Sequence, residues 1–418
     1  MRRGTEWRMA PIRGSTVGIV GGSVAGCAAA IALGRLGCDV HVFERSSGVL
    51  RDRGSGIVIP LALRDELIRE RYLPAGYASC ETTGRWWIVA DGSPSGRRAW
   101  HQPESAATNN WGVLWRALRA AVPDERYHDG TTVETFTADA GGATVVFADG
   151  STRSFDVLIG ADGYRSLIRA QRWAQSRPHF AGYILWRGNY PEARLVERAV
   201  IERGDRERSG YTVCFDGGYG LIYMIPNFDD RTDPGHRRVN WGVYTPQPPG
   251  LDVAEPTSIP PGAVSPALYR HLDDLLTAAF PPAFQALIRA SPIAEVSIQP
   301  IYDQVVDAYV AGRVVLIGDA GTVARPHTRR GATKALQDAL CLERLGREHD
   351  EWTGLLAAYD AERTAAGVKE VELSRRVGRD QVERTPPWAA MTTADFDAWT
   401  KATLSGERPY FYGDTDDG

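Results

Sequence analysis

The sequence predicts an α/β protein: a Rossmann-like nucleotide-binding domain that carries an inserted, mostly antiparallel β-sheet domain and ends in helices. Three observations carry this. A strand, a glycine-rich turn and a small-residue helix open the chain at 16–36, and a second strand at 39–44 completes a βαβ unit. Alternating, strand-like runs fill much of 131–246. From 266 onward the apolar spacing turns helical, interrupted by strand-like segments at 295–299 and 313–317.

The 418 residues suit about two or three domains. Hydrophobic residues at 43% and charged residues at 24% exclude disorder as the bulk state. With Lys+Arg 48 against Asp+Glu 52 the net charge is −4, so no nucleic-acid partner is expected. No run of apolar residues is long enough for a membrane span, so no membrane partner is expected either. Arg2 and Arg3 are followed by no apolar stretch; the N-terminus reads as a short disordered lead, with Met9 a candidate natural start. The five cysteines, Cys27, Cys38, Cys80, Cys214 and Cys341, are odd in number and widely spaced, which argues against a disulfide framework or zinc site and fits a reducing cytoplasm. Cys27 and Cys341 read as small core residues. Twelve tryptophans hint at an aromatic-lined space, though tryptophan is also common in cores.

In chain order, 16–21 reads as a buried strand, 23–36 as a packed helix and 39–44 as a strand. Residues 131–147 read as a hairpin around Gly141-Gly142, and 178–246 as a mostly antiparallel sheet. A Pro-rich connection follows at 248–263. Helix is expected over 266–290, 331–345 and 351–380, strand over 295–299 and 313–317, and a frayed aromatic-then-acidic tail from Pro409.

Gly21-Gly22-Ser23-Val24-Ala25-Gly26 is a G-x-G-x-x-G fingerprint with Ser23 at the second glycine position. It follows a strand and opens a helix, the context its mechanism requires. Gly21 permits the tight turn, a small residue at 23 lets a pyrophosphate approach the backbone, and Gly26 lets the helix pack closely on the sheet. The helix N-terminus then presents N–H groups to phosphate. Glu44 ends the second strand, where a carboxylate accepts hydrogen bonds from ribose hydroxyls and disfavours a 2′-phosphate. The nucleotide expected is FAD or NAD rather than NADP. The alternative is a Gly/Ala-rich helix with no ligand.

Two further segments decide the class. Residues 156–169 read DVLIGADGYRSLIR, a strand ending in Gly-Ala-Asp-Gly; residues 312–345 hold a second strand ending in Gly-Asp-Ala, then a loop and a helix. With the fingerprint, these make the chain resemble the class A flavoprotein aromatic hydroxylases, in order and spacing, over most of 16–380. Within that family the stretches GGSVAG, RGSGIVI, AGYILWRG, NWGVY, PPGAV and GDAGTVARPHTRRGATKALQDA resemble the 2,6-dihydroxypyridine 3-monooxygenase group. Arg329 and Arg330 depart from it, since small residues are expected there.

The resemblance implies an FAD-binding domain over 14–175 with inserted segments at about 60–110, a substrate-binding β-sheet domain over 176–298, the FAD-binding domain resumed over 299–380, and a C-terminal helix and tail over 381–418. It implies that Asp319 hydrogen-bonds the ribityl chain of FAD, that Pro326, Gly331 and Ala332 lie on the loop beside the isoalloxazine, and that Asp162 and Gly163 support flavin and nicotinamide contacts. Arg45, next to Glu44, joins the expected FAD contacts, and Arg53 sits where the family often places an FAD-contacting arginine. Plainer readings stand beside these: Asp319 as a helix N-cap, Asp162-Gly163 as a tight turn, Arg53 as a solvated charge. Arg165 and Arg169 meet either phosphate or solvent.

The implied activity is monooxygenation. NADH or NADPH, a transient visitor because no second fingerprint exists, reduces FAD; reduced flavin adds O2, and the C4a-hydroperoxide transfers OH to an electron-rich hydroxyaromatic or hydroxypyridine-like ring. The ring and O2 are the expected partners, and a homodimer is the symmetry-based expectation. A base or cation near the ring hydroxyl raises its nucleophilicity; the candidates are His327, Arg187 and Tyr183. His327 could instead order its loop, Arg187 form an ion pair on the sheet, and Tyr183 fill core. Tyr223, Met224 and Trp241 are candidates to line the pocket, or equally core. Epoxidation, Baeyer–Villiger insertion and a non-catalytic FAD-binding role remain open. A flavin-dependent halogenase is disfavoured, since the chain lacks WxWxIP.

Overall fold

The computed structural model describes residues 10–48, 55–253, 258–406 and 410. Arg53, the candidate start at Met9 and most of the tail expected to fray lie outside the described residues.

The opening βαβ unit forms as expected. Strand Thr16–Val20 pairs in parallel with Asp39–Phe43 on one side and Val157–Gly160 on the other. Val314–Leu316 and Tyr127–His128 extend this sheet in parallel, and Val310–Ala311 adds an antiparallel edge. Val17, Ile19, Val42, Leu158, Ile159 and Val315 are fully buried, as a parallel sheet covered on both faces requires. Helix Val24–Arg35 packs against helix Gly331–Glu348; its Cys27, Ala28, Ala29 and Ala32 are fully buried and small enough to let the two helices approach. The hairpin Val133–Ala138 and Ala143–Phe147 takes Thr152–Phe155 as a third strand and packs Phe147 and Phe155 on Phe43.

A second sheet has eight strands, in the order Ser297–Asp303, His179–Pro191, Arg238–Pro246, Gly218–Ile225, Ser209–Phe215, Cys80–Val89, Arg97–Asn110 and Gly56–Pro60. All its pairings are antiparallel except Ser209–Phe215 with Cys80–Val89. The last three strands were not expected; Cys80–Val89 and Arg97–Asn110 carry too many polar residues, among them Arg85, Gln102 and Glu104, to read as buried strands. Side chains alternate between the two faces. On one, Ile184, Trp186, Ile222, Trp241 and Val243 pack on helices Pro266–Ala279 and Pro282–Arg289. The other, with Tyr183, Leu185, Tyr219 and Tyr244, meets Val382 and the short turn Pro326–Thr328.

Three expectations shift. The helix read over 266–290 is two helices, because Phe280 precedes Pro281 and takes extended backbone, φ −103° and ψ 145°. The strand read over 295–299 starts at Ser297, after a 3-10 turn at Ile293–Glu295. Trp87, Trp100, Trp388 and Trp399 line no open space; they pack with Phe396 of the C-terminal helix Thr393–Thr403, whose start a Thr392–Asp395 capping box fixes. No helix among the described residues is long and apolar enough to cross a membrane.

Candidate active site

The turn after Val20 is as tight as its glycines allow. Gly21 has φ +101°, and a Cβ on it would lie 2.4 Å from the Ala161 carbonyl oxygen; a Cβ on Gly26 would lie 1.9 Å from that of Gly21. Ser23 is the N-cap of the helix that begins at Val24, but its hydroxyl makes no capping hydrogen bond, and the first turn holds no acidic residue. Glu44 is buried; its Oε2 accepts from the Gly22 N–H at 2.8 Å and its Oε1 from the Ser46 N–H at 2.9 Å. The Gly22 amide is therefore committed to Glu44 and not to a phosphate. The Gly22 carbonyl accepts from Trp115 Nε1 at 2.8 Å and Tyr127 Oη at 2.9 Å, both distant in sequence and not foreseen. Arg45 is exposed.

The other two segments meet beside this turn. Asp162 Oδ1 accepts from Ser166 Oγ at 2.5 Å and Oδ2 from the Leu167 and Ile168 N–H groups at 2.7 and 3.2 Å, so the carboxylate caps the short helix Leu167–Arg172. Burial pushes its pKa up, and the Ser166 hydrogen bond opposes this. Gly163 follows at φ +77°, a turn position that favours glycine. Arg169 is buried and donates to the Asp319 and Ala320 carbonyls at 2.9 Å each. It staples the two segments together and meets neither phosphate nor solvent; Arg165 is exposed.

Asp319 lies in the 3-10 turn Gly318–Ala320, and its carboxylate accepts no hydrogen bond from the described residues. Burial pushes its pKa up, against the pull of Lys334 and Arg169. The N-cap reading does not hold, since the next helix starts at Gly331 with Arg330 as its cap. Asp338 fixes the turn instead: Oδ2 accepts from the Gly318 N–H at 2.9 Å and Oδ1 from Arg363 Nε at 2.6 Å, while Lys334 Nζ donates to the Gly318 carbonyl at 2.6 Å. Lys334 and Asp338 lie one helical turn apart, a pairing visible in sequence although its target is not.

His327 sits in the turn Pro326–Thr328, fully buried. Its Nε2 is 2.6 Å from Tyr183 Oη and its Nδ1 2.8 Å from Tyr219 Oη. Burial, then the Arg325 charge, pushes its pKa down to about 3, so the ring is neutral. With both nitrogens engaged, neither is left for a substrate hydroxyl. His327 and Tyr183 are thus corrected from acid–base candidates to residues that hold the turn on the sheet.

A pH dependence follows. The unfolded chain protonates this histidine below its ordinary pKa of 6.5, whereas the folded chain does so only near 3. Its contribution to stability is full above 6.5 and is lost as pH falls, by about 2 kcal/mol at pH 5 relative to pH 8. Urea unfolding of wild type and His327→Gln at both pH values checks this, and the variant is expected to lose that part of the acid sensitivity.

Arg187 lies two residues beyond Leu185 on the same sheet face, and its Nη1 donates to Gln299 Oε1 at 2.8 Å. Burial pushes its pKa down, and only the phenols of Tyr223 and Tyr244 are set against that. No described carboxylate pairs with it, so the ion-pair reading does not hold, whereas Arg85, Arg237, Arg325 and Arg363 each have a carboxylate partner. Tyr223 shares this face. Met224 and Trp241 do not: strand alternation turns them to the helix-facing core, where Trp241 Nε1 donates to Ser291 Oγ at 2.7 Å. They are corrected from pocket to core.

Residues 16–59 match the family described as pyridine nucleotide-disulphide oxidoreductase, 180–303 that described as FAD binding domain-like, and 270–374 that described as FAD binding domain. The chain is 28% identical to 2,6-dihydroxypyridine 3-monooxygenase of Paenarthrobacter nicotinovorans, over 84% of this chain and 87% of that protein. It is 27% identical to salicylate hydroxylase of Pseudomonas putida, over 89% and 87%. The solved structure of 2,6-dihydroxypyridine-3-hydroxylase from Arthrobacter nicotinovorans superposes with a TM-score of 0.77 at 25% identity, covering 90% of this chain and 95% of that one. Over most of its length the chain is similar to the class A FAD-dependent monooxygenases.

The residues present fit FAD. The Asp319 carboxylate has its acceptor capacity unspent, as ribityl hydroxyls require. A Cβ on Gly331 would meet nothing within 4 Å, which leaves room at the start of its helix. Gly26→Ala is expected to displace the turn at Gly21 and weaken FAD binding at least about tenfold, as read by flavin fluorescence titration; a clash of this kind costs about 1–3 kcal/mol.

Proposed function

We propose that this enzyme takes electrons from NADH or NADPH and places one oxygen atom of O2 on an electron-rich hydroxyaromatic or hydroxypyridine-like ring that binds as an anion. Arg187 carries this reading. A half-buried cation without an acid partner is costly, and an anionic substrate supplies the missing charge. Ionising the ring hydroxyl also raises the nucleophilicity that oxygen transfer needs. The relatives point the same way, since 2,6-dihydroxypyridine and salicylate, from which two of them take their names, are hydroxylated rings.

FAD, when bound, supplies the O2-activating chemistry. The chain's part is to hold and orient. Asp319 takes the ribityl hydroxyls, the amides of Val24, Ala25 and Gly26 take the pyrophosphate, and Glu44 meets the ribose through lone pairs that Gly22 and Ser46 leave unused. Pro326, Gly331 and Ala332 would flank the isoalloxazine, and the helix N-terminus there, without acidic residues in its first turn, would stabilise negative charge. Arg187 holds the ring oxygen as an anion, with the Tyr223 and Tyr244 phenols beside the guanidinium. His327, tied to Tyr183 and Tyr219, keeps the turn closed on the sheet and water out. In this reading 14–175 and 299–380 hold the cofactor, and 176–298 holds the substrate together with the strands at 56–110.

The test is substrate-stimulated NAD(P)H oxidation by the FAD-loaded protein. Hydroxypyridines and hydroxybenzoates are compared with analogues of the same rings that lack an ionisable group. Anionic rings are expected to stimulate at least about tenfold more; equal stimulation by the neutral set would remove Arg187 from the argument.

A further inference from the structure

The turn Pro326–Thr328 has an arginine at each end. Arg325 pairs with Asp303 at 2.8 Å and with Glu383 at 2.8 Å. Arg329 reaches the other way, across to strand Arg97–Asn110, where its Nη1 donates to Glu104 Oε1 at 2.6 Å. Glu104 is buried and held independently of Arg329, by Thr82 Oγ1 at 3.2 Å and Arg85 Nε at 3.4 Å. Arg85 is itself anchored to the Tyr211 carbonyl and Thr212 Oγ1, each at 3.1 Å. The receptor for Arg329 is thus fixed before Arg329 arrives.

Two more features set Arg329 apart. Its φ is +57°, in the left-handed region where glycine carries no strain. An arginine at such a position carries backbone strain that its side-chain contacts must offset. The guanidinium carbon also lies 5.7 Å from the Tyr223 ring centroid, and Tyr223 acts on the charge of Arg187. The contact therefore joins the turn to the wall that carries the anion-binding guanidinium.

We propose that Arg329 and Glu104 are positioning residues, a latch that sets the turn Pro326–Thr328 against the substrate sheet and so determines how tightly NAD(P)H consumption is coupled to ring oxygenation. This rests on the function proposed above. In coupled turnover NAD(P)H, one proton and O2 convert a ring C–H into C–OH, with NAD(P)+ and water as the other products. With the latch open, the same two electrons with two protons reduce O2 to H2O2, and the ring is released unchanged.

The test uses the full chain, FAD-free and FAD-loaded, with the variants Arg329→Gly, Arg329→Lys and Glu104→Gln. Amide hydrogen exchange is read on the peptide spanning 321–336, and peroxide formed per NAD(P)H is read in turnover. Arg329→Gly removes the backbone strain as well as the latch. It is expected to exchange at least about tenfold faster in both forms and at least to double the peroxide fraction. Arg329→Lys, which keeps the charge, is expected to recover part of both, and Glu104→Gln to follow Arg329→Gly. Unchanged or slower exchange in Arg329→Gly overturns the latch, because the turn is then held by backbone alone. Faster exchange with an unchanged peroxide fraction overturns its role in coupling. Should Glu104→Gln fail to fold, Arg329→Gly still decides, since it leaves Glu104 with Arg85. A wild type that oxygenates no ring contradicts the proposed function, while the exchange data still judge the latch.

Discussion

Asp319→Ala is expected to purify as a folded, colourless protein. Its carboxylate accepts no hydrogen bond from the described residues, so the fold loses little when it goes. The turn around it is held by Asp338, Lys334 and Arg363 without its help. What is lost is a charge-assisted hydrogen bond to a bound polyol, worth about 1.5–3 kcal/mol for each bond made. FAD affinity should therefore fall about 10–100-fold or more, while the unfolding free energy of the FAD-free protein in urea stays within about 1 kcal/mol of wild type. Full flavin occupancy in this variant would show that Asp319 does not meet the cofactor.

Arg187→Gln is expected to separate activity from stability. For an anionic ring, removing the cation costs about 2–5 kcal/mol, so kcat/KM should fall by roughly 30-fold to several thousandfold. Flavin content should not change, because Arg187 lies on the large sheet and not on the segments proposed to hold FAD. The substrate-free protein should melt at the same temperature as wild type or higher, since a half-buried charge without an acid partner has been removed. A variant that loses activity and stability together would mean that Arg187 holds the sheet rather than the substrate.

How far these features are legible in sequence depends on whether their causes are local. The opening strand, turn and helix were legible because fingerprint, small-residue helix and strand run contiguously over 16–44. The strands at 80–110 were not, because Arg85, Gln102 and Glu104 look solvent-exposed until the fold pairs Arg85 with Glu104 on neighbouring strands and brings Arg329 to the same carboxylate from far along the chain. Tyr223 falls on the face of Arg187 while Met224 and Trp241 fall on the helix-facing core, and the sequence does not separate them because strand period gives two faces and nothing local says which is which. His327 was correctly put on the loop between the Gly-Asp-Ala strand and its helix. Its engagement by Tyr183 and Tyr219 depends on strands more than 100 residues away, so its change from base to brace needed the fold. Arg329 stood out in sequence only as a departure from small residues; its left-handed backbone and buried partner explain what it does there.

The central claim is that this chain places an oxygen atom from O2 on an anionic hydroxylated ring. It is tested most directly by running turnover of the FAD-loaded enzyme with NAD(P)H under isotopically heavy O2, over the panel of hydroxypyridines and hydroxybenzoates, and weighing the products. A product heavier by one labelled oxygen is expected from at least one anionic ring, and it is lost in Arg187→Gln. NAD(P)H oxidation that yields only labelled peroxide with every ring, or a product whose new oxygen comes from water, would contradict it.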